Sequence, residues 1–324
     1  MLKLFRNQNP YSIIILFILA MVLKLPVLWH LDLPNIETNQ ILWKVFLGFL
    51  QSIFGHSTHT YFFLTTINIV LQALYLNFIV NNFHFYNKQT YLPAYTYILI
   101  TSLLPQWSNF SLELANNWLI LAMLHLIFQT YSDKNTRKTL FNIGFIFGLL
   151  LLSNLPNAWL FFFVALSISI LRSYKPAEWM VTLFGITTPL YLLISIAYLT
   201  DNFYIVSKVF DINFSAYFKV SKFELYALSI LLFLTILGGF VLLKQLSKML
   251  FQIRKMWLVN ALFLVFSILT TIGIYHQGAE IWILSLIPCS MLISKVWMIA
   301  KPKWMAESLN VLLIGGVVYL NYFL

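Results

Sequence analysis

Two stretches of the sequence gather carboxylates and amides at spacings that could do chemistry. The first is "WHLDLPNIETN", which holds Asp32 and Glu37 although the whole chain has only 10 Asp and Glu residues. The second is "LLPQWSNFSLELANNWLIL", Leu103 to Leu121, where Glu113, Asn116 and Asn117 stand at i, i+3 and i+4 and so share one helix face. A carboxylate such as Asp32 beside an incoming hydroxyl can take its proton as general base. With a diphosphate it could instead hold a divalent cation. Each stretch also has a plainer explanation. Asp32 would solvate the turn before Pro34, and Glu37 would favour the positive end of a helix dipole. Ser111 is a suitable N-cap and Glu113 suits a first turn, but capping leaves Asn116 and Asn117 unexplained. Hydrogen bonding between helices would account for those two.

The remaining candidates are weaker. His276 and Glu280 in "YHQGAE" flank Gly278, which points to a capped turn. His56 and His59 in "GHSTHT" lack a third ligand, so no metal site is assigned there. His125 reads as a hydrogen-bond donor between helices. No phosphate-binding loop, no GxSxG and no HExxH occurs.

The elements that must position these residues are membrane helices. Hydrophobic residues make up 60% of the 324 and charged residues 9%, with a mean hydropathy of +0.83. Apolar runs repeatedly reach the ~20 residues needed to cross a ~30 Å hydrocarbon layer. Runs such as "YSIIILFILAMVL" do not alternate as barrel strands do, so the spans are helices. The expected fold is an all-α polytopic membrane bundle forming a single transmembrane domain. Its eleven spans lie near 11–29, 60–82, 91–106, 111–130, 140–154, 156–171, 179–199, 223–243, 256–275, 280–298 and 307–323. The first follows Lys3 and Arg6 and runs too long for a cleaved signal, so it reads as an uncleaved anchor. Residues 38–54 form an amphipathic helix in the interface, with Trp43 near the headgroups and Phe46, Phe49 and Leu50 toward lipid or the bundle. Cys289, the one cysteine, reads as a buried small hydrophobe.

Basic residues set the orientation. With the N-terminus in the cytoplasm, fifteen of the 20 Lys and Arg residues fall on the inner side; only Lys24, Lys44, Lys208, Lys219 and Lys222 fall outside. The formal net charge of +10 therefore reflects topology, and no nucleic-acid partner is expected. The C-terminus falls outside. Seven acids, among them Asp32, Glu37 and Glu113, gather at outer span ends, and an aromatic-rich outer loop covers residues 200–222.

This arrangement resembles the start of a GT-C membrane glycosyltransferase: an inner N-terminus, one span, an outer loop with acids and an interfacial helix. The turn "LLPQWSNFSLELANN" resembles that superfamily's "P…S…(D/E)" turn, and the resemblance covers roughly residues 1–172, leaving 173–324 as variable C-terminal helices. "LQALYLNFIVNN", "YLPAYTYILITSLLP" and "KPAEWMVTLFGITTPLYLL" are similar to an uncharacterised family of inner-membrane proteins of the Bacteroidota. The GT-C resemblance implies sugar transfer from a polyprenyl-phosphate donor on the periplasmic face. It puts Asp32 at the first-loop acid and Glu113 at the second-loop acid. Asn116, Asn117 and Glu37 would then contact substrate, and Lys219 and Lys222 would hold the lipid phosphate as point charges. Departures are visible: the first-loop acidic pair is here Asp32 with Glu37 at a distance, and the outer side has no arginine. The competing expectation is a non-catalytic subunit or assembly factor of an envelope complex, with membrane-protein partners.

Overall fold

A computed structural model describes residues 2–7, 9–29, 41–55, 57–133, 135–172, 175–204, 206, 221–271, 278–299 and 303–322. Asp32, Glu37, Lys219, His56, His276 and most of the 200–222 loop lie outside the described residues. Within them run thirteen α-helices: α1 (Leu2–Arg6), α2 (Tyr11–Lys24), α3 (Ile41–Phe54), α4 (Thr58–Asn82), α5 (Leu92–Thr101), α6 (Leu112–Gln129) and α7 (Thr136–Ser153). After these come α8 (Leu160–Leu171), α9 (Pro176–Leu199), α10 (Lys222–Leu246), α11 (Phe251–Thr271), α12 (Ile283–Ile299) and α13 (Lys303–Tyr322).

The protein is an all-α bundle, and each of the eleven expected spans coincides with a helix. Eight of them are long and apolar enough to cross a membrane. The other three fall short. α5 has 10 residues and α8 has 12, and α7 opens on Thr136, Arg137 and Lys138. At 1.5 Å per residue, α5 covers only about 15 Å.

Burial shows why a helix this short persists. All ten residues of α5 are buried, because α4, α12, α2, α13 and α1 surround it. α12 is its main partner at the centre, with 89% of its apolar window buried. Tyr95 reaches Asn310 of α13 at 3.0 Å, and Thr96 reaches the Ser290 carbonyl of α12 at 3.1 Å. α9 and α10 are peripheral, with 28% of each window buried, and α9 turns Phe184, Tyr191 and Leu199 outward.

α9 nevertheless packs very closely along α7. A Cβ added at Gly148 would lie 2.7 Å from the Ile186 carbonyl oxygen, and one at Gly144 or Gly185 would strike the Thr182 or Phe141 carbonyl directly. Small residues that let two backbones meet are the usual device for joining helices in lipid. The register rises together on both helices, so α7 and α9 run parallel.

Hydrogen bonds between elements sort the helix ends into two sets. At one end Arg6 donates to the Trp297 carbonyl (2.6 Å), the Tyr91 amide donates to the Phe5 carbonyl (2.8 Å), and Lys295 donates to the Phe85 carbonyl (3.3 Å). Arg172 donates to the Thr130 carbonyl at 3.0 Å and pairs with Glu178 at 3.4 Å. At the opposite end Lys24 donates to Ser108, Trp107 to the Ala279 carbonyl, and Asn321 to the Ser102 carbonyl. Successive helices thus alternate in direction, and α1 and the last turn of α13 lie at opposite ends. The first set is called the basic end below.

On α3 the departure from expectation is at Trp43 alone. Trp43 and Leu47 face inward, and the Trp43 ring stacks on Phe110 at 5.7 Å, while Val45, Phe46, Phe49 and Ile53 are exposed. Lys44, Gly48 and Ser52 take a third, exposed side, and which of the two apolar stripes is buried is decided by what lies beneath the helix. Phe110 and Tyr61 supply the ring-sized partner that draws Trp43 in. His125 also departs from expectation. It makes no hydrogen bond to a neighbouring helix among the described residues; its ring packs against both Tyr75 and Phe78, at 6.0 and 5.8 Å.

Candidate functional site

The turn between α5 and α6 builds the polar cluster at the end opposite the basic one. Pro105 opens a short 3-10 turn, Pro105–Ser108. The chain then runs extended to Ser111, whose hydroxyl accepts from the Leu114 amide at 3.3 Å and starts α6. This cap places Glu113 in the first turn, where its charge complements the helix dipole. Glu113 is 1% exposed. One carboxylate oxygen accepts from Asn154 Nδ2 at 2.9 Å and the other from Asn116 Nδ2 at 3.5 Å. Asn154 follows the last residue of α7, so Glu113 ties the start of α6 to the end of α7.

Asn117 leaves this pair. Its Nδ2 donates to the Tyr97 hydroxyl at 2.9 Å, Tyr97 donates to Gln72 Oε1 at 2.8 Å, and Gln72 Nε2 donates to the Leu114 carbonyl at 2.7 Å. The shared helix face expected of Glu113, Asn116 and Asn117 is therefore divided. Asn116 stays with the carboxylate, and Asn117 turns toward α5 and α4. The reason is Tyr97, a buried hydroxyl on α5 that needs both a donor and an acceptor.

Lys24 completes the cluster. It ends α2, is 1% exposed, and donates to Ser108 Oγ at 2.7 Å and to the Thr101 carbonyl at 3.4 Å. No described carboxylate lies within ion-pair distance of it. Lysines at span ends usually extend to the interface; this one turns into the protein. Sequence reading placed it on the outer side without a role. Its signal was a lone lysine closing an uninterrupted apolar span just before a Leu-Pro step. Nearby, Gln106, Asn109, Asn117 and Asn157 each carry a buried side-chain oxygen with no hydrogen-bond partner among the described residues. Such acceptors suit a donor-rich ligand, because leaving each unmet costs about 1–3 kcal/mol.

Lys222 is the first residue of α10 and is exposed. No hydrogen bond or ion pair joins it to Glu113 or Lys24 among the described residues. Asp32, Glu37 and Lys219 lie outside those residues, and with them the expected gathering of Asp32 and Glu113 in one cavity. Among the described residues no three His, Cys, Asp or Glu side chains are placed to hold a metal.

A family model matches residues 34–324, and its description is a family of unknown function (DUF6427). The chain belongs to this family. The match takes in Glu37, Glu113, Asn116 and Asn117 and begins just after Asp32. No curated protein matches the chain, and no solved structure does. In this DUF6427 protein, the carboxylate and cation nearest to being a site are thus Glu113 and Lys24. Glu113 has one amide on each oxygen, which leaves each oxygen a second lone pair for a proton or a ligand donor.

Proposed function

We propose that this DUF6427 protein works at the periplasmic face of a bacterial inner membrane, with its N-terminus in the cytoplasm. There it acts as a glycosyltransferase-like protein on a polyprenyl-phosphate sugar donor. The observation that carries this reading is the buried cluster opposite the basic end. It holds a cation without a described counter-ion, a carboxylate between two amides, and several unpaired side-chain oxygens. A phosphate would answer the first, and sugar hydroxyls the last. In the proposed step an acceptor hydroxyl attacks the sugar's anomeric carbon and gives its proton to Asp32, while the polyprenyl phosphate leaves with the bonding electrons. Lys24 steadies the leaving phosphate, Glu113 and Asn116 orient hydroxyls, and Lys219 and Lys222 draw the anionic head toward the site.

The second reading, a non-catalytic subunit of an envelope complex, is favoured by Glu113 itself. One of its oxygens already ties α6 to the end of α7 and the other is held by Asn116 on α6 itself, which is what a structural carboxylate does. One experiment separates the two. Membranes carrying wild type, Asp32→Asn or Glu113→Gln are incubated with a radiolabelled polyprenyl-phosphate hexose, and lipid-free label is counted. A general base contributes about 10²–10⁴-fold, so Asp32→Asn should lose at least a hundredfold with an unchanged melting temperature. Equal counts from wild type, Asp32→Asn and membranes lacking the protein would refute the catalytic reading and leave the subunit reading.

A further inference from the structure

At the basic end, far from the cluster just described, a cavity of about 400 Å³ opens between the α10–α11 turn, the end of α12 and the loop after α4. Lys248 and Lys295 both line it, with the amides of Asn87 and Gln245, and no lining residue is acidic. Lys295 is 3% exposed. Its ammonium donates to the Phe85 carbonyl at 3.3 Å and lies 4.9 Å from the Tyr86 ring centroid and 5.4 Å from that of Trp257. All of these partners are neutral. Lys248 is exposed at the cavity mouth, in the turn that follows α10.

The rest of the lining is greasy, with Met249 and Met298 among it, and Leu250 and Phe251 continue an apolar edge outward at 73% and 64% exposed. A small soluble anion would use the lysines and leave this edge idle. An amphiphile uses both, with its head between the two ammonium groups and a chain along the edge. The height also fits, because Lys295 stands one turn from the end of the α12 span, near the headgroup level. Basic pockets between membrane helices are recurrent sites for anionic lipid heads.

We propose that this cavity binds the phosphate of an anionic membrane lipid, held between Lys248 and Lys295. The site is independent of whatever chemistry occurs at the opposite end. The test is native mass spectrometry of the full-length protein released from bilayers of equal phosphatidylglycerol and phosphatidylcholine. Wild type should retain phosphatidylglycerol preferentially, and Lys248→Gln and Lys295→Met should each weaken that retention about tenfold, as loss of one charge-assisted contact predicts. Lys244→Gln, an exposed lysine outside the cavity, should change nothing. Lys248 is exposed, so its variant decides the matter even if Lys295→Met folds poorly. Equal retention of both lipids, or equal loss in all three variants, overturns the proposal. Displacement by millimolar inorganic phosphate, or stabilisation by phosphate without lipid retention, overturns the lipid assignment.

Discussion

Lys24→Met should make the protein more stable. The side chains have nearly the same length, so packing against Thr101 and Ser108 is largely kept. What changes is the charge. The ammonium is 1% exposed and meets one hydroxyl and one carbonyl. Losing the 2.7 Å contact to Ser108 costs about 1.5–3 kcal/mol for a charged donor, and the long 3.4 Å contact to Thr101 adds little. Against this stands the desolvation of the cation, several kcal/mol per ion when no opposite charge offsets it. Ser108 is not stranded, because its hydroxyl can still donate to the Thr101 carbonyl at 3.3 Å. The balance predicts a gain of about 1–3 kcal/mol. Unfolding in mixed detergent, followed by tryptophan fluorescence, measures it. On the proposed reading, in which Lys24 steadies the leaving phosphate, label transfer should fall in the same variant. A loss of more than about 1 kcal/mol would refute the reasoning and show that Lys24 already has an anionic partner in the resting protein. Asp32, eight residues on, would be the first to test by the double variant.

Three further outcomes follow from the geometry. Tyr97→Phe strands Asn117 Nδ2 and Gln72 Oε1 in the interior and should cost about 1–2 kcal/mol, in keeping with hydrogen bonds between membrane helices. Adding Asn117→Leu should recover part of that loss, and strict additivity in the same unfolding assay would exclude the network. Gly144→Val forces a side chain into the Thr182 carbonyl; it should part α7 from α9 and abolish the folded monomer peak on size exclusion, whereas Gly239→Ala, which meets nothing within 4 Å, should leave it intact. Trp43→Ala removes the stack on Phe110 and should expose α3 to limited proteolysis while the bundle stays resistant.

The helices were legible because a long apolar run has few other uses, and every expected span coincides with one, although only eight are long and apolar enough to cross a membrane. Helix length was less legible. α5 is bounded by Pro93 and by the Ser102 to Pro105 break, and an apolar window reads straight through such punctuation. The Glu113 cluster was half visible. Capping and the i, i+3 spacing gave Glu113 with Asn116, but the partner across the gap, Asn154, is 41 residues away and no local pattern links them. Lys24 and Lys295 were counted as topological charges, because a lysine's sequence position tells which side it is on and not whether it turns inward. Trp43 was misdirected for a related reason: on a helix with more than one apolar stripe, the buried one is chosen by Phe110 and Tyr61, which belong to other segments.

The enclosure of α5 bears on how the protein is made. Its neighbours include α12 and α13, which leave the ribosome long after it, and Tyr86, Tyr95 and Thr96 all reach for atoms about two hundred residues downstream. Until those helices arrive, a ten-residue segment carrying two threonines and two tyrosines must wait in the bilayer with only α1, α2 and α4 beside it. Residues 1–172 are therefore not a unit that folds and then receives an appendage; their central helix is sealed by helices synthesised about two hundred residues later. Nascent chains halted before residue 279 should be open to quality-control proteases at the 83–91 loop, and should become resistant only when α12 and α13 are inserted.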